Sequence, residues 1–102
     1  LSKSDLEETL AFQLKALGIP FEREVKFHPK RRWRLDFTLP NKVAIAVQGG
    51  IWKKGRHVRP LGYQNDCEKY SAAAILGWRI IFATPKTIES GEAVQWAEEA
   101  SK

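Results

Sequence analysis

Asp36 is the only acidic side chain between Glu24 and Asp66, and that stretch holds ten lysines and arginines. They are Lys26, Lys30, Arg31, Arg32, Arg34, Lys42, Lys53, Lys54, Arg56 and Arg59. Simple charge balance would use several acids. One carboxylate set where a phosphate backbone would lie suits a metal-dependent nuclease. A hard divalent ion needs several oxygen ligands at close range, so Asp36 requires partners that other elements must bring to it. The competing structural reading is an ion pair with Arg32 or Arg34 on the same strand face.

The elements that would position Asp36 are legible as hydrophobic periodicities. Leu6, Leu10, Leu14 and Leu17 recur at helical spacing, which predicts a helix over 4–17. Ser4 with Glu7 three residues on forms a capping-box pattern at its start, and Gly18 and Pro20 end it. Strands follow over 22–28, 32–39 and 43–48. In the second, Trp33, Leu35, Phe37 and Leu39 alternate against Arg32, Arg34, Asp36 and Thr38. In the third, Val43, Ile45 and Val47 face opposite to Ala44, Ala46 and Gln48. The short turn Pro40-Asn41-Lys42 joins these two strands. Ile51 to Gly62 is a basic loop, 63–76 an alanine-rich helix holding Cys67 as a small buried residue, and 78–83 a short apolar strand that reads as central. Trp33, Trp78 and Tyr70 read as core. Pro85 breaks the last strand, and a closing helix over 90–100 turns Val94 and Ala97 inward.

The order is αβββαβα. Short connections make the first three strands an antiparallel meander, and the last strand returns after a helix to pair in parallel. The expected fold class is α/β: one domain over residues 1–102, a mixed four-stranded sheet flanked by helices.

Composition narrows the partner. A net charge of +5 and a pI near 9.6 favour a polyanion. No apolar run approaches the roughly 18 residues of a spanning helix, and no signal-peptide pattern heads the sequence. A lone cysteine, Cys67, fits a reducing cytoplasm. One Cys and two His cannot build the usual four-ligand structural zinc site.

The segment RRWRLDFTLPNKVAIAVQGG resembles the two catalytic strands of the PD-(D/E)XK nuclease superfamily. GGIWKKGRH, DCEKYSAAAILGWRIIFATP and LEETLAFQLKALGIPFERE look like small phage and bacterial endonucleases of that superfamily. Those are similar in layout to VRR-NUC and Holliday-junction-resolvase-like proteins, and the resemblance runs over nearly the whole chain. It implies a restriction-endonuclease-like core, a Mg²⁺ or Mn²⁺ cofactor, and DNA, branched DNA included, as substrate. By position, Asp36 matches the first metal-binding acid and Ala46 stands where the second is expected. The Val47 carbonyl would be a further metal ligand. Gln48 stands where the lysine usually lies, a variant the superfamily accepts. Glu7 matches a helical acid that resolvase-like members add, with Glu8 as runner-up, and Lys69 would supply the charge Gln48 lacks. For Glu7 the structural alternative is an acid complementing the helix dipole.

Ala46 departs from the pattern, because its side chain has no ligand atom. The favoured expectation is a nuclease inactivated by replacement of an acid with alanine. The alternative is a pseudo-nuclease that binds nucleic acid without cutting it. A basic protein-interaction domain is a third, blander reading. Arg31, Arg32 and Arg34 would track the DNA backbone, as would Lys53, Lys54, Arg56, His57 and Arg59 behind Gly49-Gly50; a solvated charge run is the alternative. Trp52 reads equally as a base-stacking platform or a lid on the core. A one-site domain needs two copies to cut both strands symmetrically, and a homodimer is the arrangement that would supply them.

Overall fold

The computed structural model describes residues 2–49 and 60–102. Trp52, Lys53, Lys54, Arg56, His57 and Arg59 lie outside the described residues. Helix α1 (Lys3–Ala16) leads into strands β1 (Glu22–Lys26), β2 (Arg34–Leu39) and β3 (Val43–Val47). Helix α2 (Pro60–Ile75), strand β4 (Arg79–Ala83), and helices α3 (Pro85–Ser90) and α4 (Glu92–Ala100) follow. The sheet order is β1-β2-β3-β4, with β1–β2 and β2–β3 antiparallel and β3–β4 parallel. This is the expected mixed four-stranded α/β sheet flanked by helices, with restriction-endonuclease-like topology.

The cap of α1 sits two residues earlier than predicted. Ser2, not Ser4, accepts from the Asp5 amide at 3.1 Å, and Asp5 accepts back from the Ser2 amide at 3.3 Å. Two overlapping Ser-x-x-acid patterns compete here. Using the first releases Glu7 from capping. The closing helix expected over 90–100 is α4, and a further short helix, α3, precedes it. Thr84 caps α3 through Thr87 with Pro85 in its first turn, and Gly91 at φ +86° separates it from α4. Pro85 therefore begins a helix as well as ending a strand, since its fixed φ suits the first helical turn.

Two apolar clusters lie on opposite sides of the sheet. The larger joins Leu6, Leu10 and Leu14 of α1, Phe37 and Leu39 of β2, Val43, Ile45 and Val47 of β3, and Ile88, Val94 and Ala97 of α3 and α4. The smaller buries Leu35, Ala44 and Ala73, with Phe27, Tyr70, Trp78 and Ile80 packed against them. Leu35 thus leaves the face predicted for it with Phe37 and Leu39. β4 is an edge strand rather than a central one, and its Phe82 is 48% exposed. Cys67 is exposed, not buried. Among the residues of α2 whose side chains are described, Ala73 alone packs fully.

The β2–β3 turn is fixed by Asn41 at φ +66°, a left-handed conformation that asparagine tolerates. Its amide donates to the Ser101 and Lys102 carbonyls at 3.0 and 2.7 Å, tying the turn to the chain's last helix.

Candidate active site

The β2–β3 ladder pairs Leu39 with Val43, Thr38 with Ala44 and Phe37 with Ile45, and then stops. One step further the register would set Asp36 beside Ala46. There Asp36 Oδ2 accepts the Val47 amide at 2.8 Å. A side chain has taken a backbone donor, so the strands part at this point. Beyond this point Leu35 packs in the cluster on the other face. Asp36 is 7% exposed and its carboxylate is held by a buried hydrogen bond. Its ion-pair partner is Lys3, at 3.4 Å from Oδ1, and neither Arg32 nor Arg34 pairs with it among the described residues.

Three elements bring charged groups around Asp36. From α1, Glu7 presents a half-buried carboxylate that meets Lys3 at 3.8 Å and Arg23 at 3.5 Å. From β1 comes Glu24, which sequence reasoning missed. The pairs Arg23–Phe37 and Val25–Leu35 bracket it and set it across from Asp36. Glu24 has φ +53°, inside the left-handed region that non-glycine residues avoid and that concentrates at functional sites. One carboxylate oxygen from each of Glu7, Glu24 and Asp36 lies within 4.8 Å of the other two. From α2, half-buried Lys69 lies within electrostatic reach of Asp36. Burial depresses its pKa and Asp36 pulls it back up.

Among the described residues, the carboxylates crowd one another more than the nearby cations offset. The Glu7 carboxyl is raised above its ordinary pKa, first by burial and then by Asp36, with Glu24 adding to the effect. Lys3 and Arg23 oppose the shift without cancelling it. Tyr70 is pushed up strongly, by burial and then by the Asp36 and Asp66 charges. A cation placed among the three acids relieves this strain. The donor set is all oxygen, carries three carboxylates and has one member locked by the backbone, which fits Mg²⁺ or Mn²⁺.

The predicted residues separate into groups. Asp36, Glu7 and the Val47 amide come together, while Lys69 is linked to Asp36 through charge alone. Ala46 is buried at 1% and pairs with Phe82 across β3–β4. Gln48 donates its backbone N–H to the Ala83 carbonyl at 2.7 Å. Its side chain lines an open cleft of about 450 Å³ with Tyr63, Asp66, Tyr70 and Phe82. Glu8 points to Arg23 at 2.9 Å and is mostly exposed, so it is not part of the cluster. Arg31, Arg32 and Arg34 are exposed. Arg31 lies 3.9 Å from the Trp33 ring centroid and 3.9 Å from Glu68.

No family model matches this chain, and no curated protein matches it. A solved structure does. The chain superposes on the homing endonuclease I-Bth0305I catalytic domain with a TM-score of 0.65 at 20% sequence identity. The match covers 92% of this chain and 89% of that one. At this identity the likeness establishes a shared fold. Among the described residues no helix is long and apolar enough to cross a membrane.

Proposed function

We propose that this chain is a Mg²⁺- or Mn²⁺-dependent endodeoxyribonuclease domain of the PD-(D/E)XK kind, inactivated by alanine at position 46. The observation that carries the reading is the convergence of Asp36, Glu7 and Glu24 where β2 and β3 part. The fold shared with an endonuclease catalytic domain supports it, as does the net charge of +5.

Asp36, Glu7 and Glu24 would hold the ion, with the Val47 carbonyl as a further oxygen. A bound divalent ion supplies positive charge to a phosphodiester and acidifies water at neutral pH. The Val47 amide fixes the Asp36 carboxylate so that it need not reorganise. Lys69 would stabilise charge developing on the phosphate, a role its half-buried position strengthens. Gln48 would orient a water or a phosphate oxygen, since a neutral amide cannot supply a lysine's charge. Arg31, Arg32, Arg34 and the basic residues 53, 54, 56, 57 and 59 would contact the DNA backbone. Ala46 leaves β3 without its carboxylate, and loss of such a charge-stabilising group costs roughly two or more orders of magnitude in rate.

The test is a cleavage panel with Ala46→Glu protein over linear duplex, nicked, flap and four-way-junction DNA, with and without EDTA. Metal-dependent cutting of any of them is the expected result. Salt-dependent DNA binding with no cutting would leave the non-catalytic module. That binding should fall by roughly 10³–10⁵ between about 50 and 200 mM salt if about 6–10 phosphates are contacted.

A further inference from the structure

The first turn of α1 carries a lysine where helix energetics favour an acid. Lys3 directly follows the cap residue Ser2. A cation there opposes the positive pole of the helix dipole. Its favourable contacts lie outside the helix backbone: Nζ stands 3.4 Å from Asp36 Oδ1 and 3.8 Å from Glu7 Oε2. Both carboxylates belong to the three-acid cluster. Arg23 reaches Glu7 but, among the described residues, not Asp36. Among the described residues, Lys3 is therefore the side chain that bridges the two acids.

We propose that Lys3 is a tethered competitor of the divalent ion, whose ammonium bridges Asp36 and Glu7 in the metal-free protein and withdraws when a metal binds. The inference rests on the metal reading of the cluster given above. Asp36 and Glu7 would hold a divalent ion through these same oxygens, and the negative charge that now holds the ammonium would then be engaged by the ion. Lys69 is a second ammonium near Asp36, and Lys3 and Lys69 repel each other. Of the two, Lys3 is free to leave. Its side chain is 51% exposed and swings on a four-carbon stem, whereas Lys69 is half-buried. The tether therefore helps to set the metal concentration at which the site fills.

The test is calorimetric titration of Mn²⁺ into the full chain and its Lys3→Gln, Lys3→Arg and Lys15→Gln variants. Lys15 sits in the last turn of the same helix, about 18 Å along the axis from Lys3, and controls for net charge. Lys3→Gln should bind Mn²⁺ about three- to tenfold more tightly, the scale expected for loss of partly exposed ion pairs. Lys3→Arg and Lys15→Gln should match the parent. In EDTA the Lys3→Gln melting temperature should fall, because the acids lose their counter-charge. A merely structural role would weaken metal binding along with stability. Unchanged or weaker Mn²⁺ binding by Lys3→Gln overturns the proposal and leaves the metal site standing, as does an equal gain in Lys15→Gln. Absence of Mn²⁺ binding in every variant overturns both.

Discussion

The two faces of the sheet are built to different standards. On the α1, α3 and α4 side, Leu6, Leu10, Leu14, Phe37, Ile45 and Ile88 are each at most 1% exposed and form one continuous core. Among the described residues, the apolar side chains buried on the α2 side are Leu35 and three alanines, Ala44, Ala46 and Ala73. Tyr63, Ile75 and Phe82 stay largely in solvent there. Asp36 lies where the two sides meet, reached by Glu7 and Lys3 from α1 and sensed by Lys69 from α2. Among the described residues, the thick face supplies most of the apolar burial and the thin face little of it.

The contrast can be broken first by stability. Phe37→Ala, at a position with no exposure and a ring 5.5 Å from that of Phe21, should cost about 3–5 kcal/mol in urea unfolding. Ala73→Gly, the fully buried helix residue of the thin face, should cost only about 1 kcal/mol. Equal losses would abolish the asymmetry.

Activity gives the next largest effect. In the Ala46→Glu background, Asp36→Asn should lower metal-dependent cleavage by roughly 10²–10³ while leaving salt-dependent DNA binding in place. Cleavage at the Ala46→Glu rate would take Asp36 out of the site.

The smallest effect concerns pH. Glu7 titrates above its ordinary value of 4.5 in the folded chain. Between 4.5 and that raised value the folded state keeps a proton the unfolded state has released. Its contribution to stability therefore falls as pH rises through this window. In EDTA, Glu7→Gln should be more stable than the parent above the window and lose that advantage below it. Urea unfolding of both proteins across pH checks this, and a pH-independent difference would contradict the account of crowded carboxylates.

Much of this was readable from the sequence because it follows from period and turn length. The alternation around Phe37 and Ile45, the three-residue turn at Pro40 and the leucine stripe of α1 determine the meander and its main core. The opening of the ladder was not readable, because it depends on Asp36 taking the Val47 amide, a tertiary event. Glu24 was hidden for a related reason. Its place beside Asp36 follows from the β1–β2 register, and only the pairing of Arg23 with Phe37 and Val25 with Leu35 settles that. Lys3 did carry a local signal, a cation four residues before Glu7 in the wrong turn for the dipole. The edge position of β4 had none, since a short apolar run reads alike at the centre and at the rim of a sheet.

The most direct test of the central claim is a crystal of this chain soaked in Mn²⁺, with anomalous scattering used to locate the ion. The account predicts one strong peak among the Asp36, Glu7 and Glu24 carboxylates, with the Lys3 ammonium displaced from Asp36 Oδ1. Full soaking with no peak there, or with Lys3 still bridging Asp36 and Glu7 beneath a peak elsewhere, would contradict it.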